Sequence, residues 1–290
     1  MVDINVALLK LAARLPLRVS HAIGGILGTL VAAVPNGARH ITDINLALCL
    51  PELDDRERRR LRRVSLMHTA RMLLEAGRIW LGPRDEVLRM VREVVGGEHL
   101  EAAFARGRGV IMAAPHLGCW EVINTWLATR YRLTTMYKPQ EGPVDALILA
   151  ARAATGARMV PTDNQGVRAL LAALRRNEMA GVLPDQDGGR NTGVFVEFFG
   201  HRANTPVLAP KLAAKTGASV VFAYGERLPR GRGFRIQFVP GAPEIRDPDT
   251  RAGARALNRG IEQCVRQLPE QYWWSYKRFR RRPQGAREFY

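Results

Sequence analysis

Cysteine is scarce in this 290-residue chain: Cys49, Cys119 and Cys264 lie far apart, and no two of them stand at metal-ligand spacing. That excludes a disulfide framework and a zinc ribbon, and it suits a reducing compartment. Acidic side chains are also a minority, 27 against 44 Lys and Arg, for a formal charge of +17. A field of that sign selects polyanions: nucleic acid, an anionic membrane face, or an acidic protein or substrate. There are no internal repeats or low-complexity tracts. The apolar content, 47%, is that of an ordinary globular enzyme, and the length suffices for a core of its own.

The N-terminal stretch lacks charge. Between Val19 and Ala38 there is no Lys, Arg, Asp or Glu, a run long enough to cross a bilayer on length alone. Ser20, His21, Gly24, Gly25, Gly28, Thr29, Pro35 and Asn36 interrupt it, which weakens the hydropathy and argues against a full span. No basic leader precedes a small-residue cleavage site, so a removable signal peptide is not expected. Upstream, Ala7, Leu8, Leu11, Ala12 and Leu15 recur at helical spacing before Pro16. Residues 1–38 therefore read as helices that either bury an amphipathic face or lie on a membrane.

Asn45-Leu-Ala-Leu-Cys-Leu-Pro-Glu-Leu-Asp-Asp reads as a helix end, a Pro turn and a new helix capped by Asp54 or Asp55. That helix carries Arg56, Arg58, Arg59, Arg60, Arg62 and Arg63 beside a stripe of Leu61, Val64, Met67 and Leu74. The arginines form either a solvated face or a dock for acidic partners. Val87 to Val95 is a short strand-like or helical piece. Short apolar runs then alternate with helical stretches. Strands are expected at 110–114, 133–137, 158–160, 179–183, 219–224 and 234–239, with helices between them and a last helix over 250–268. Such interleaving indicates an α/β fold: a mixed, largely parallel sheet flanked by helices. The expected organisation is a helical, membrane-associating segment over 1–38 and one catalytic domain over 39–290.

The chemistry concentrates in Gly109-Val-Ile-Met-Ala-Ala-Pro-His-Leu-Gly-Cys-Trp-Glu-Val-Ile123. A step of about 100° per residue leaves His116 and Glu121 about 140° apart on a helix, so they cannot share a helix face. Flanked by Pro115 and, two residues on, Gly118, His116 is expected on the loop at a strand's C-terminal end, with Glu121 in the first turn of the next helix. That is where open α/β sheets hold reactive residues. A helix N-terminus disfavours an imidazolium, which keeps His116 neutral and able to accept a proton; Glu121 would fix its tautomer. A base and orienter without a nucleophile imply that the substrate supplies one, a hydroxyl to be acylated or phosphorylated. Three other readings stay open: a structural histidine, a metal ligand, or a nucleophilic Cys119 beside His116. No second histidine at H-x-x-x-H spacing supports a metal, so neither metal nor cofactor is expected.

His-Leu-Gly-Cys-Trp-Glu resembles the H-x4-(D/E) motif of the lysophospholipid acyltransferase superfamily, and more closely its lipid A biosynthesis lauroyl/myristoyl acyltransferase branch. Asn45-Leu-Ala-Leu-Cys-Leu-Pro-Glu-Leu, Met136-Tyr-Lys-Pro-Gln and Gln271-Tyr-Trp-Trp-Ser-Tyr-Lys-Arg-Phe resemble further segments of that branch, in order. The most specific is Leu183-Pro-Asp-Gln-Asp-Gly-Gly-Arg-Asn-Thr-Gly-Val-Phe-Val-Glu-Phe-Phe-Gly, running on to Ala203-Asn-Thr-Pro206.

The resemblance implies that His116 deprotonates a hydroxyl that attacks an acyl thioester, with Glu121 orienting His116 and either backbone N–H groups near Gly118 or a basic side chain holding the oxyanion. It implies acyl carrier protein as donor and a phosphorylated glycolipid as acceptor, both of which suit a basic surface. Lys138 and Arg152 are the expected phosphate or donor contacts. Asp185 resembles the acidic residue of the superfamily's later Pro-Glu-Gly-Thr-Arg block and Arg190 its arginine; Asp185-Gln186-Asp187 equally reads as a turn before Gly188-Gly189. Phe195, Phe198 and Phe199 read as core rather than as an acyl tunnel. The terminal Trp273, Trp274, Tyr276 and Phe279, interleaved with Lys277, Arg278, Arg280, Arg281 and Arg282, suit either single-stranded nucleic acid or an anionic membrane surface. Without an RNA-binding module, the membrane reading is preferred and no nucleic acid partner is expected. The implied location is the cytoplasmic face of the bacterial inner membrane, peripheral or single-pass. The alternatives are the same chemistry on a lysophospholipid or another glycolipid, or a non-catalytic basic membrane- or nucleic-acid-binding protein.

Overall fold

The computed structural model describes residues 4–137 and 142–290. Four helices come first: α1 (Ile4–Arg14), α2 (Leu17–Ala33), α3 (Gly37–Cys49) and the long α4 (Asp55–Leu81). Strands and helices then alternate through α5 (Arg84–Met90), β1 (Val91–Val95), α6 (Gly97–Ala105), β2 (Val110–Ala113), α7 (Trp120–Ala128) and β3 (Leu133–Tyr137). The series continues with α8 (Pro143–Ala154), β4 (Arg158–Pro161), α9 (Asn164–Arg175) and β5 (Met179–Val182). A hairpin of β6 (Gly193–Phe198) and β7 (His201–Pro206) leads to α10 (Leu208–Thr216), β8 (Ser219–Arg227), β9 (Phe234–Pro240) and α11 (Thr250–Gln267).

Among the described residues seven strands form one sheet in the order β1-β9-β8-β2-β5-β3-β4. Every pairing in it is parallel except β8 with β9. The fold is therefore mixed α/β with a largely parallel sheet, as the interleaved pattern implies. The central strands read as unbroken apolar runs because both their faces are covered. On β2, Ile111 and Ala113 enter one core layer and Val110 and Met112 the other; β8 divides Val220, Phe222 and Tyr224 from Val221 and Ala223 in the same way. The ambiguous Val87–Val95 piece is both things, the end of α5 and then β1. The β6–β7 hairpin, absent from the sequence expectation, puts Phe198 and Phe199 into the core as expected, while Phe195 of the same cluster is only half-buried.

The N-terminal helices reverse the simple hydropathy reading. α2 packs on α4 through Ser20, His21, Gly24, Gly28 and Ala32, while Ile26, Leu30 and Val34 stay exposed. A Cβ at Gly28 would stand 2.3 Å from the Cα of Met67, so that glycine sets how closely the helices meet. The polar and small residues that interrupt the apolar run are its packing face. No single helix among the described residues is long and apolar enough to cross a membrane; α2 and α3 pass that test only together, bent by 80°.

α4 starts from a capping box, in which the Asp54 carboxylate accepts from the N–H groups of Arg56 and Glu57, and Glu57 accepts from the N–H of Asp54. In its C-terminal half, buried Glu75 accepts from Arg227 Nε at 2.9 Å and Nη2 at 2.6 Å, and bonds His21 Nε2 at 2.7 Å. Burial by itself would raise this carboxyl; the Arg227 charge and the His21 hydrogen bond overcome it and hold the group down to about 2, against an ordinary 4.5. The stabilisation so gained is complete above pH 4.5 and is lost as pH falls toward 2. Glu75→Gln keeps the shape and leaves Arg227 buried without a counter-charge. We expect it to lower unfolding free energy by about 3–5 kcal/mol, read from urea unfolding at neutral pH.

Candidate active site

β2 and β5 are parallel neighbours in which Ala113 faces Val182. Each strand runs on through a proline: Pro115-His116 after β2 and Pro184-Asp185 after β5. Equal offsets from paired residues bring His116 and Asp185 together at the carboxyl edge of the sheet. His116 Nδ1 lies 2.8 Å from Asp185 Oδ1, and the His116 backbone N–H donates to Asp185 Oδ2 at 2.9 Å. Both side chains are shielded, Asp185 almost completely. Burial opposes the charge on Asp185, but His116, by its charge and two hydrogen bonds, holds that carboxyl below its ordinary value. A carboxylate can only accept, so it places the ring proton on Nδ1 and leaves Nε2 a lone pair. Gln186 Nε2 sits 3.2 Å from that nitrogen. Trp120 and Trp273 flank the ring, with centroids 4.7 and 5.4 Å away.

His116 thus lies on a loop before α7, and Glu121 in that helix's first turn, where the sequence put them. Their relation differs from the expectation. Among the described residues Glu121 makes no hydrogen bond to His116; its carboxylate is taken by Arg152 of α8, from both Nε at 3.1 Å and Nη2. The carboxylate that bonds His116 is Asp185, because the register of β2 and β5 delivers it to Nδ1. Arg152 is accordingly engaged before any substrate arrives. With Glu121 it borders an apolar cavity of about 60 Å³ lined by Met112, Trp120, Leu127, Leu133 and Met159.

Gly118 holds the loop's shape. Its φ is +62°, and a Cβ there would stand 2.1 Å from the carbonyl oxygen of Gly225. Its N–H, expected at the oxyanion, is given to the Gln271 carbonyl at 3.0 Å, and the Cys119 N–H to Gly225 at 2.7 Å. Neither donor is free. Cys119 is buried, and desolvation, reinforced by the Glu75 charge, pushes its thiol well above the ordinary value. That removes the thiolate reading. Arg190 is exposed on the loop after Asp185. Lys138 lies outside the described residues.

The terminal block closes the site from below. The Trp273 N–H donates to His116 O at 3.1 Å, Leu117 pairs with Tyr272, and the Asp187 N–H donates to Tyr276 Oη at 3.0 Å. Trp274 and Phe279 are core, and Arg278 is buried, giving its guanidinium to Asn204 O and Thr205 Oγ1. Those three side chains cannot line a membrane or nucleic acid surface, because tertiary packing has already covered them, whereas Lys277 and Arg280 of the same block stay exposed. Asn45 fixes the same block by donating to Trp274 O at 2.6 Å and Tyr276 O at 2.8 Å.

The sequence matches the profile of the bacterial lipid A biosynthesis acyltransferases over residues 2–281. The chain belongs to that family. It is 29% identical over 287 residues to the lipid A biosynthesis lauroyltransferase of Escherichia coli K12, covering 98% of this chain and 92% of that one. It is 30% identical over 286 residues to a lipid A biosynthesis acyltransferase of Haemophilus influenzae, covering 97% and 88%. A phosphatidylinositol mannoside acyltransferase of Mycobacterium tuberculosis is 31% identical over 157 residues, 52% of this chain and 49% of that one. The chain is therefore an enzyme of acyl transfer.

The dyad can be tested without turnover. Asp185→Asn is expected to shift the His116 ring-nitrogen resonances and mix its tautomers, whereas Glu121→Gln leaves them in place, as read by long-range ¹H–¹⁵N correlation. The opposite pattern would return the orienting role to Glu121.

Proposed function

We propose that this enzyme moves a fatty acyl chain from the thioester of acyl carrier protein to a hydroxyl of a lipid A precursor, with His116 as general base. The 2.8 Å contact between His116 Nδ1 and Asp185 carries the reading, since it leaves Nε2 as the basic nitrogen and stabilises the imidazolium once formed. Nε2 takes the proton of the acceptor hydroxyl while its oxygen attacks the thioester carbonyl. The tetrahedral oxyanion then collapses, the C–S bond breaks, and the departing sulfur receives the proton from His116. Gln186 occupies the approach to Nε2; an arriving hydroxyl displaces it and frees its amide N–H for the oxyanion. The apolar cavity beside Trp120 suits the far end of an acyl chain, with the Glu121–Arg152 pair at its polar border. Lys138 and Arg190 are left as substrate contacts.

Acyl carrier protein suits a chain of charge +17. Arg56, Arg59, Arg60 and Arg63 of α4 form no ion pair among the described residues and supply a surface for acidic protein or anionic lipid. The exposed Val19, Ile23, Ile26, Leu30 and Val34 of α2 favour attachment to the cytoplasmic face of the inner membrane, by insertion of that face into the headgroup boundary. The half-length likeness to a phosphatidylinositol mannoside acyltransferase supports a second reading, the same transfer onto another glycolipid.

His116→Ala is expected to lower transfer from acyl carrier protein by about 10²–10⁴-fold with the fold intact, measured by mass spectrometry of the lipid product. A variant as fast as the parent would sink the assignment. Offering a lipid A precursor, a mannosylated inositol lipid and a lysophospholipid side by side separates the acceptors: preference for either of the last two overturns the lipid A reading.

A further inference from the structure

A second cavity, of about 560 Å³, lies between α2, α4 and the turn joining β8 to β9. Five of its lining side chains are Arg18, His68, Arg71, Arg227 and Arg230, with Glu226 and Glu270 as the carboxylates. Most of the negative charge there is already used. Glu75, behind the wall, takes Arg227, and Glu226 accepts from Arg235 Nη1 at 3.1 Å. Arg18 and Arg230 have no hydrogen-bond or ionic partner among the described residues, and Arg71 reaches only His21 O, at 3.0 Å, and His68 Nε2, at 3.5 Å. Three guanidinium groups therefore meet one uncommitted carboxylate, Glu270.

The cavity wall offers donors and few acceptors: a guanidinium only donates, so Arg71 beside His68 Nε2 takes up the one acceptor of that ring. Arg230, between Pro229 and Gly231, is left-handed, with φ +59° and ψ +27°. A non-glycine side chain held there is strained, a feature found at sites where the side chain is needed in place. The surplus of cations is felt by the buried groups themselves: burial, then the charge of Arg227, depresses Arg71, and burial, Arg227 and Arg71 depress His68 to about 2.

The structure assigns this cavity, we infer, as a phosphate-binding subsite. Resting on the function proposed above, its ligand is the phosphate of the glycolipid acceptor, held apart from the hydroxyl that reacts at His116. Gln271 joins the two places: its backbone carbonyl accepts the Gly118 N–H, and its side chain brackets Arg227 through the N–H at 2.8 Å and the carbonyl at 3.1 Å. Arg227 itself donates to Gly118 O at 3.0 Å. An anion drawn against Arg71 and Arg230 thus lies across one layer of backbone from the catalytic loop. Arginine suits this work because its planar fork matches phosphate oxygens.

Isothermal titration at constant ionic strength, with N-acetylglucosamine 1-phosphate, inorganic phosphate and N-acetylglucosamine as probes, tests the assignment. The parent protein is expected to bind both phosphates and not the neutral sugar. The exposed-site double variant Arg18→Gln/Arg230→Gly is expected to weaken phosphate binding by about tenfold or more without lowering the unfolding midpoint, since glycine relieves the left-handed backbone at 230. Equal affinity in parent and variant, or no phosphate binding by the parent, would overturn the subsite. Tighter binding of the sugar phosphate than of inorganic phosphate supports a headgroup ligand; the reverse order overturns the acceptor assignment. His116→Ala is expected to keep this binding while losing transfer. If it instead kept full transfer, the reading of the His116 site would fail and the phosphate result would stand on its own.

Discussion

The Glu75–Arg227 ion pair is the constraint on which the rest of the molecule leans. It joins the C-terminal half of α4 to the end of β8, takes in His21 of α2, and passes through Arg227 to the carbonyl of Gly118 in the His116 loop. Three parts of the chain far apart in sequence, the N-terminal helices, the carboxyl edge of the sheet and the loop, are thereby held to one geometry. Such a pair is costly to bury, and it is tolerable here because both carboxylate oxygens and the guanidinium are hydrogen-bonded. Its position explains why α2 turns its small and polar face inward: His21 must reach Glu75, and the glycines nearby let the helices approach closely enough for that.

Two buried or half-buried carboxylates near the site have parted roles. Asp185 meets an imidazole, a group able to take up a proton, while Glu121 meets Arg152, whose charge is permanent. The second arrangement joins α7 to α8 and sets a permanent charge at the border of the apolar cavity. The two tryptophans do comparable work for the ring, since Trp120 and Trp273 press on His116 from different elements and restrict its rotation.

The same economy runs through the terminal block. Residues 271–279 look like a surface motif in the sequence because aromatic and basic residues alternate. In the fold part of the alternation serves the interior: the rings of Trp274 and Phe279 fill the core and Arg278 satisfies the buried backbone of β7, while Lys277 stays exposed. A basic residue among aromatics carries no information about exposure until its hydrogen-bond partners are known.

Local signals were strong enough to make several features legible without coordinates. Apolar runs and their spacing determined the largely parallel α/β sheet, and Pro115 and Gly118 determined that His116 would stand on a loop before a helix. The capping sequence at Asp54 determined the start of α4. The partner of His116 was not legible by proximity, because the nearer carboxylate in sequence, Glu121, is the wrong one. A signal existed all the same: strand-Pro-His and strand-Pro-Asp are the same phrase, and in parallel strands equal phrases end side by side. Only tertiary structure decided that β2 and β5 are those neighbours, that Gly118 spends its N–H on Gln271, and that the glycines of α2 face inward. Each depends on which distant segments meet, and a pattern of local residues does not encode that pairing.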